Sequence, residues 1–203
     1  SIYTALRNVN ALLRLTTNLI TFERADNYNT NLTIAEYELN DYLKEMLQGF
    51  EDYASTQHIG LSYQSNFDYL SVWIDREKME SILKNLISNA LKYTQKGGNV
   101  QVIATEKGKE WSVEISDTGI GIPQSEQKRL FKTHFRSSNA INNKITGSGI
   151  GLLLVWKLVK QHKGKITFHS KEGEGTSITV TFPIEARNFK KAIRTNSKPQ
   201  KEH

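Results

Sequence analysis

Residues 76–93 read REKMESILKNLISNALKY. Met79, Ile82, Leu83, Leu86, Ile87, Ala90 and Leu91 recur at the spacing of one helix face, and Asp75 just before them is a good N-cap. On an adjacent stripe stand Asn85, Asn89, Lys92 and Tyr93, at i, i+4, i+7 and i+8, so they share a side of the helix. Asparagine favours caps and turns over helix interiors, so two of them one turn apart in mid-helix call for a reason. Amide oxygens are hard ligands of the kind Mg2+ takes, and Lys92 is placed to neutralise phosphate charge. A merely solvated polar face is the alternative for this helix taken alone.

Downstream, Gly97-Gly98 turns the chain into two expected strands, 100–105 and 111–116, joined at Lys107-Gly108-Lys109. Asp117-Thr118-Gly119-Ile120-Gly121-Ile122-Pro123 follows the second. Asp117 offers a fixed carboxylate acceptor for an exocyclic amine, the glycines let backbone approach a flat ligand, and Ile120 and Ile122 supply apolar walls. The string is neither the dinucleotide fingerprint nor the P-loop, having no third glycine in register and no Gly-Lys-Ser/Thr; taken alone it reads equally as an ordinary turn. A short helix is expected near 126–131. Then Leu130-Phe131-Lys132-Thr133-His134-Phe135-Arg136 leads into a Ser-, Asn- and Lys-rich loop, about 137–146, that reads as a flexible lid with Arg136 and Lys144 facing a polyphosphate. Gly147-Ser148-Gly149-Ile150-Gly151-Leu152 opens a helix directly, and amides at such a start suit phosphate. That helix is expected to end near His162-Lys163-Gly164 with Gly164 as C-cap. Strands 165–170 and 176–183 then bracket Glu172-Gly173-Glu174-Gly175.

Upstream, 38–53 reads as a helix, and Ile59-Gly60-Leu61-Ser62-Tyr63 and Leu70-Ser71-Val72-Trp73-Ile74 as short strands, with Leu32-Thr33-Ile34 a further brief one. Residues 1–24 carry Ile2, Leu6, Val9, Leu13 and Ile20, with Ala5, Leu12 and Leu19 repeating every seven: a stripe of bundle character that needs a partner helix or the rest of this chain. The sum is a mixed α/β layer with helices on one face of a sheet.

The 203 residues suit one ordinary domain plus an appendage, and 37% hydrophobic with 24% charged residues is globular. The absence of Cys excludes disulfides, thiolate metal sites and a cysteine nucleophile. The longest apolar run, Ile150 to Trp156, is far short of the ~18 residues of a membrane span. Beginning at Ser1 inside a helical pattern, the chain reads as a piece of a longer one. Its net charge of +6 hints at nucleic acid or an anionic surface. Yet Arg187, Lys190, Lys191, Arg194, Lys198 and Lys201, against Glu202 alone, sit in 187–203; of 27 basic and 21 acidic residues, 21 and 20 remain in 1–186. The body is balanced, and neither nucleic acid nor membrane contact is expected of it. The segment 186–203 reads as a basic tail or linker.

Order and spacing together, Asn-x-x-x-Asn-x-x-Lys-Tyr, then Asp-x-Gly-x-Gly, then a Phe-containing stretch, then Gly-x-Gly-x-Gly, resemble the ATP-binding catalytic domain of sensor histidine kinases. These share a superfamily with DNA gyrase B, the 90-kDa heat-shock chaperones and MutL. The resemblance covers about 32–184, and 1–31 resembles the second helix of the dimerisation and phosphotransfer domain. It implies an α+β fold: a two-layer α/β sandwich, with a mixed sheet covered by helices on one face and an N-terminal bundle helix. The division is 1–31 for that helix and linker, 32–185 for the ATP-binding domain, and 186–203 for the tail.

The resemblance implies ATP and Mg2+ as ligands. Asn89 looks like the principal Mg2+ ligand with Asn85 beside it, Lys92 like the phosphate-contacting lysine, and Tyr93 like the residue near sugar and base. Asp117 matches the carboxylate that reads adenine N6, in a pocket shaped by Gly119 and Gly121 with Ile120, Ile122 and Phe131. Arg136 resembles a basic residue reaching the terminal phosphate. Gly147, Gly149 and Gly151, with Ser148, Ile150 and Leu152, match the hinge and phosphate-binding turn.

Three features depart from the pattern or discriminate within it. His134 stands where many relatives have Phe or Tyr, and reads as a packed substitute rather than a catalyst. The five His residues are followed by Ile59, Phe135, Lys163 and Ser170 or end the chain, so none sits in the family's acceptor context, where an acidic residue commonly follows. The expected function is the catalytic fragment of a two-component kinase, which transfers the γ-phosphoryl group to a His outside these residues. Asn85 stands where the superfamily's ATPases carry a water-activating Glu, and Asn cannot act as that base; slow hydrolysis is expected. An anti-sigma-type serine kinase and a nucleotide-binding module acting only through protein contacts are the alternatives. A response regulator, a homodimer through 1–24 and a cytoplasmic location, in a membrane-anchored bacterial sensor, are the further implications.

Overall fold

The computed structural model describes residues 32–131, 137–143, 145 and 149–185, with Val9 and Thr16 as single helical positions. The stripe over 1–24 and its proposed dimerisation, the tail 186–203, and Arg136, His134, Lys144, Gly147 and Ser148 lie outside the described residues.

Strand β1 (Ala35–Glu38) runs into helix α1 (Leu39–Thr56), then β2 (Gly60–Ser65), β3 (Ser71–Ile74), α2 (Arg76–Tyr93), β4 (Asn99–Lys107) and β5 (Glu110–Asp117). A single 3-10 turn (Gln127–Arg129) and the short helix α3 (Ser138–Asn142) precede α4 (Gly151–Gln161), β6 (Lys165–Lys171) and β7 (Gly175–Pro183). Five strands form one sheet in the order β2-β4-β5-β7-β6, with β2 parallel to β4 and all other pairs antiparallel. β1 and β3 make a separate antiparallel pair, Ala35 opposite Ile74.

The two-residue period of the strands assigns the faces. Val100, Val102, Ala104, Trp111, Val113, Ile115, Ile178, Val180 and Phe182 are buried, while Gln101, Ser112, Glu114, Ser177 and Thr179 alternate with them on the other face. α2 lies against β4, β5 and α4, α1 against β2, and α4 against β6. The apolar residues named above for α2 are all buried, so one core lies between the helix layer and the sheet. This is the expected two-layer α+β arrangement.

Four local expectations change. Leu32-Thr33-Ile34 is not a strand; Leu32 and Ile34 pack on Trp73, and the pairing falls on the next four residues. The expected helix at 126–131 shrinks to one 3-10 turn, and the expected loop of 137–146 contains α3. Gly164 is not the left-handed residue after α4. Lys163 takes that place with φ 56, and the amide of Gly164 donates to the Val159 carbonyl at 2.9 Å. Gly164 is required for another reason: a Cβ there would sit 2.6 Å from the Thr181 carbonyl oxygen.

One buried polar junction ties α4 to α2. Asp75 caps α2 through the Lys78 amide and also accepts from the Thr33 amide (2.9 Å) and the Lys78 ammonium (3.0 Å). Burial pushes its carboxyl up, but these donors outweigh burial and hold it below the usual range. His162, 1% exposed, has Nδ1 2.9 Å from the Leu158 carbonyl, and its Nε2 accepts from the Asp75 amide at 3.3 Å. The ring is therefore neutral, with its proton on Nδ1. Burial holds His162 below its ordinary 6.5, against the opposing Leu158 bond and Asp75 charge and with the aid of Lys78. A depressed histidine binds fewer protons folded than unfolded, so stability is full above about pH 6.5 and falls as pH drops below it. Measured against His162→Gln in urea denaturation, the unaltered chain is expected to lose relative stability as pH falls below about 6.5.

Candidate functional site

Around the C-terminal end of β5, three backbone segments converge. In α2, the Asn85 side-chain amide donates to the Ser81 carbonyl (2.8 Å), which turns Oδ1 toward the start of α4. A Cβ on Gly151 would stand 2.7 Å from that oxygen. Glycine thus leaves open the space that the Asn85 oxygen faces. Asn89, one turn on, is half-buried on the same side, as are Lys92 and Tyr93. The Lys92 ammonium lies 4.3 Å from the centre of the Tyr93 ring, a cation–π contact at the end of the helix.

The Tyr93 carbonyl accepts the Ile120 amide at 3.2 Å, joining α2 to the loop after β5. Gly119 sits so close that a Cβ would lie 2.4 Å from that carbonyl oxygen. Asp117 ends β5, and its Oδ1 accepts the Gly119 amide at 2.8 Å. Burial pushes its carboxyl up to about 6, although the Gly119 and Thr176 amides pull the other way. A desolvated carboxylate held by two amides, with unused acceptor capacity, suits an exocyclic amine.

The loop is clamped from its far side. Gly121 has φ 61, and a Cβ on it would lie 1.9 Å from the Lys171 carbonyl oxygen. The Ile122 amide donates to Ser170 Oγ (2.9 Å), which also lies 2.8 Å from Thr176 Oγ1. Gln127 Nε2 bridges the carbonyls of Ile122 (3.0 Å) and Ser170 (2.9 Å). The Gly173 amide reaches the Ile120 carbonyl at 2.9 Å. Phe131, with φ 65, sets its ring edge on Phe168 at 5.8 Å.

The structure thus brings Asn85 to Gly151, and Tyr93 to Gly119 and Ile120 beside Asp117. Gly149 takes φ 73, a left-handed value that glycine allows, whereas Ile150 is buried and Leu152 packs on the main core. Arg136, Gly147 and Ser148 cannot be placed with them, lying outside the described residues. Sequence reasoning missed Ser170, Thr176, Gln127 and Asn139. No local pattern marks them, because each matters only through partners that sheet pairing or chain folding brings near.

Residues 74–186 match the family described as histidine kinase-, DNA gyrase B-, and HSP90-like ATPase. The chain is 34% identical over 180 residues to histidine kinase P4 of Formosa agariphila, covering 87% of this chain but only 13% of that protein. In shape it resembles the Acinetobacter baumannii histidine kinase AdeS (TM-score 0.74, 22% identity, 90% of this chain and 83% of that one). It also resembles histidine kinase ThkA, solved in complex with the response regulator TrrA (TM-score 0.65, 22% identity, 87% and 49%).

Proposed function

The chain belongs to the histidine kinase-, DNA gyrase B-, and HSP90-like ATPase family, and we propose that it binds Mg-ATP as the catalytic part of a two-component sensor kinase. It spans about an eighth of the curated relative just described, so the whole-protein activity is part of this reading. The observations that support it are the approach of the Asn85 oxygen to the start of α4 and that of the Tyr93 carbonyl to the loop beside desolvated Asp117.

Asp117 accepts the adenine amine, between walls from Ile120 and Ile122 and backbone that Gly119 and Gly121 bring close, with Tyr93 and Phe131 alongside. Lys92 and Arg136 meet phosphate charge. The amides of Gly149, Ile150, Gly151 and Leu152 at the start of α4 suit the phosphates, and Gly147 and Ser148 are read as acting with them. Asn89 and Asn85 hold Mg2+. Their oxygens are the hard donors it prefers, and the space in front of Asn85 is one that a Cβ on Gly151 would fill. Bound Mg2+ supplies charge neutralisation on the triphosphate.

Transfer is then mostly positioning. An imidazole nitrogen of an acceptor His attacks the γ-phosphorus, and the bond to the bridging oxygen breaks. ADP leaves with that electron pair, and the ring proton passes to solvent. Asn85, its amide spent on Ser81, offers no base for water, which supports slow hydrolysis. We read the partners as a response regulator and a second copy paired through 1–24, with no nucleic acid or membrane contact. Among the described residues no helix is long and apolar enough to cross a membrane, and we place the domain in the cytoplasm.

The test supplies an acceptor helix bearing His together with γ-labelled ATP. Acid-labile, base-stable label on that helix is expected with Mg2+ and none after chelation. ATP binding without any label would overturn the kinase reading, and rapid ATP turnover by the chain alone would do the same.

A further inference from the structure

A side chain outside every sequence motif reaches the loop after β5. Asn139, on α3, directs its amide nitrogen at two backbone carbonyls of the loop after β5, Gly121 at 3.0 Å and Ile120 at 3.3 Å. Two carbonyl acceptors at one end identify that end as the NH2 group. Both hydrogens are then used, while Oδ1 is buried with no partner among the described residues. An unsatisfied buried oxygen is costly, so the side chain is held in place by what its nitrogen does. A second tie reaches the same segment: Glu126 accepts the Ser138 amide at 3.0 Å. Both ties run to 117–126.

The Ile120 carbonyl is the junction. It accepts from Asn139 on one side and from the Gly173 amide on the other, while the Ile120 amide binds Tyr93. Asn139 therefore closes a ring of contacts that holds the loop beside Asp117 between α2, the β6–β7 turn and α3.

We propose that Asn139 is a positioning residue for the base-binding loop, setting the place of Ile120 and Gly121 and through them the affinity for the base rather than for the phosphates. This rests on the nucleotide reading for its ligand, but the positioning itself is measurable without one. Asn139→Ala removes both bonds. Asn139→Asp keeps the shape and sets a carboxylate against two carbonyl oxygens.

In ligand-free protein, amide exchange at Ile120 and Gly173 is expected to quicken about tenfold in both variants, with the amides of α2 above Leu86 unchanged. Binding of adenosine, ADP and Mg-ATP is expected to weaken by one common factor, about tenfold for two hydrogen bonds. Unchanged exchange at both amides would overturn the proposal. So would a loss confined to the triphosphate, which would assign Asn139 to the phosphate end. If the unaltered chain bound none of the three ligands, the functional reading would fail, and the exchange arm would still decide the role of Asn139.

Discussion

Asp117→Asn is expected to lower adenine-nucleotide affinity about a hundredfold near pH 8 while moving the melting temperature by only a few degrees. The loss follows from replacing a charged acceptor by a neutral one in a desolvated site, where a charge-assisted hydrogen bond is worth roughly twice a neutral one. The site also mismatches the new side chain. The Gly119 and Thr176 amides point at the carboxylate, and an Asn amide must set its own NH2 against one of them or against the ligand amine. Stability responds differently. Burial raises Asp117 from its ordinary 3.8 to about 6, so the folded state binds more protons than the unfolded chain between those values. A raised acid gives stability that grows as pH falls from 6 to 3.8 and carries a constant penalty above 6. Removing the charge relieves that penalty, which offsets the poorer bond with the amides. The same shift gives the pH profile of binding. Protonation removes the charge that strengthens the bond from the amine, so affinity should fall as pH drops through about 6, and the variant should lose that dependence. Isothermal titration across the range measures both. Equal affinity for the variant would remove Asp117 from the site.

Gly175→Ala should be the most damaging single methyl addition in the described fold. Gly175 has φ 121, a backbone region open to almost no other residue. Its Cβ would lie 1.9 Å from the Asp117 carbonyl oxygen and 3.1 Å from Thr118 Cα. These are backbone atoms of the neighbouring strand, so no side chain can swing aside. β7 must part from β5 where Thr176 faces Asp117, which opens the ladder and withdraws the Thr176 amide from the carboxylate. We expect a loss of about 3 kcal/mol or more in urea denaturation, with nucleotide binding lost in whatever remains folded. Gly173→Ala is the control. Its φ of 78 is also left-handed, but nothing lies within 4 Å of the added carbon, so only the conformational cost of about 1 kcal/mol applies. If the two variants denatured alike, the close approach of β5 and β7 would be wrong.

Much of this site is legible in the chain. Arg76–Tyr93 is read to its ends, because seven apolar residues share one face and Asp75 caps it. The strand beneath Asp117 and the start of α4 are placed within a residue or two. The reading fails where a residue answers to a distant partner. Gly164 looks like a C-cap by type, yet it is the closeness of Thr181 and Phe182 that demands glycine there. Leu32 and Ile34 look like strand residues, yet Trp73 takes them as packing partners. Asn139 sits in a polar run with nothing local to separate it from Asn142 and Asn143, and only the carbonyls of Ile120 and Gly121 do so.

By itself, the sequence determined α1, α2, α4 and strands β2 to β7, the polar stripe of Asn85, Asn89, Lys92 and Tyr93, the two glycine elements and the family they belong to. Periodicity, caps and glycine spacing act over a few residues, so they can be read from one stretch at a time. The tertiary structure alone decided the sheet order β2-β4-β5-β7-β6, the burial that lifts Asp117, the clamp through Ser170, Gln127 and Gly121, and the reach of Asn139 onto Ile120. Desolvation and cross-strand contact depend on atoms tens of residues away, and those meet only when the chain has closed upon itself.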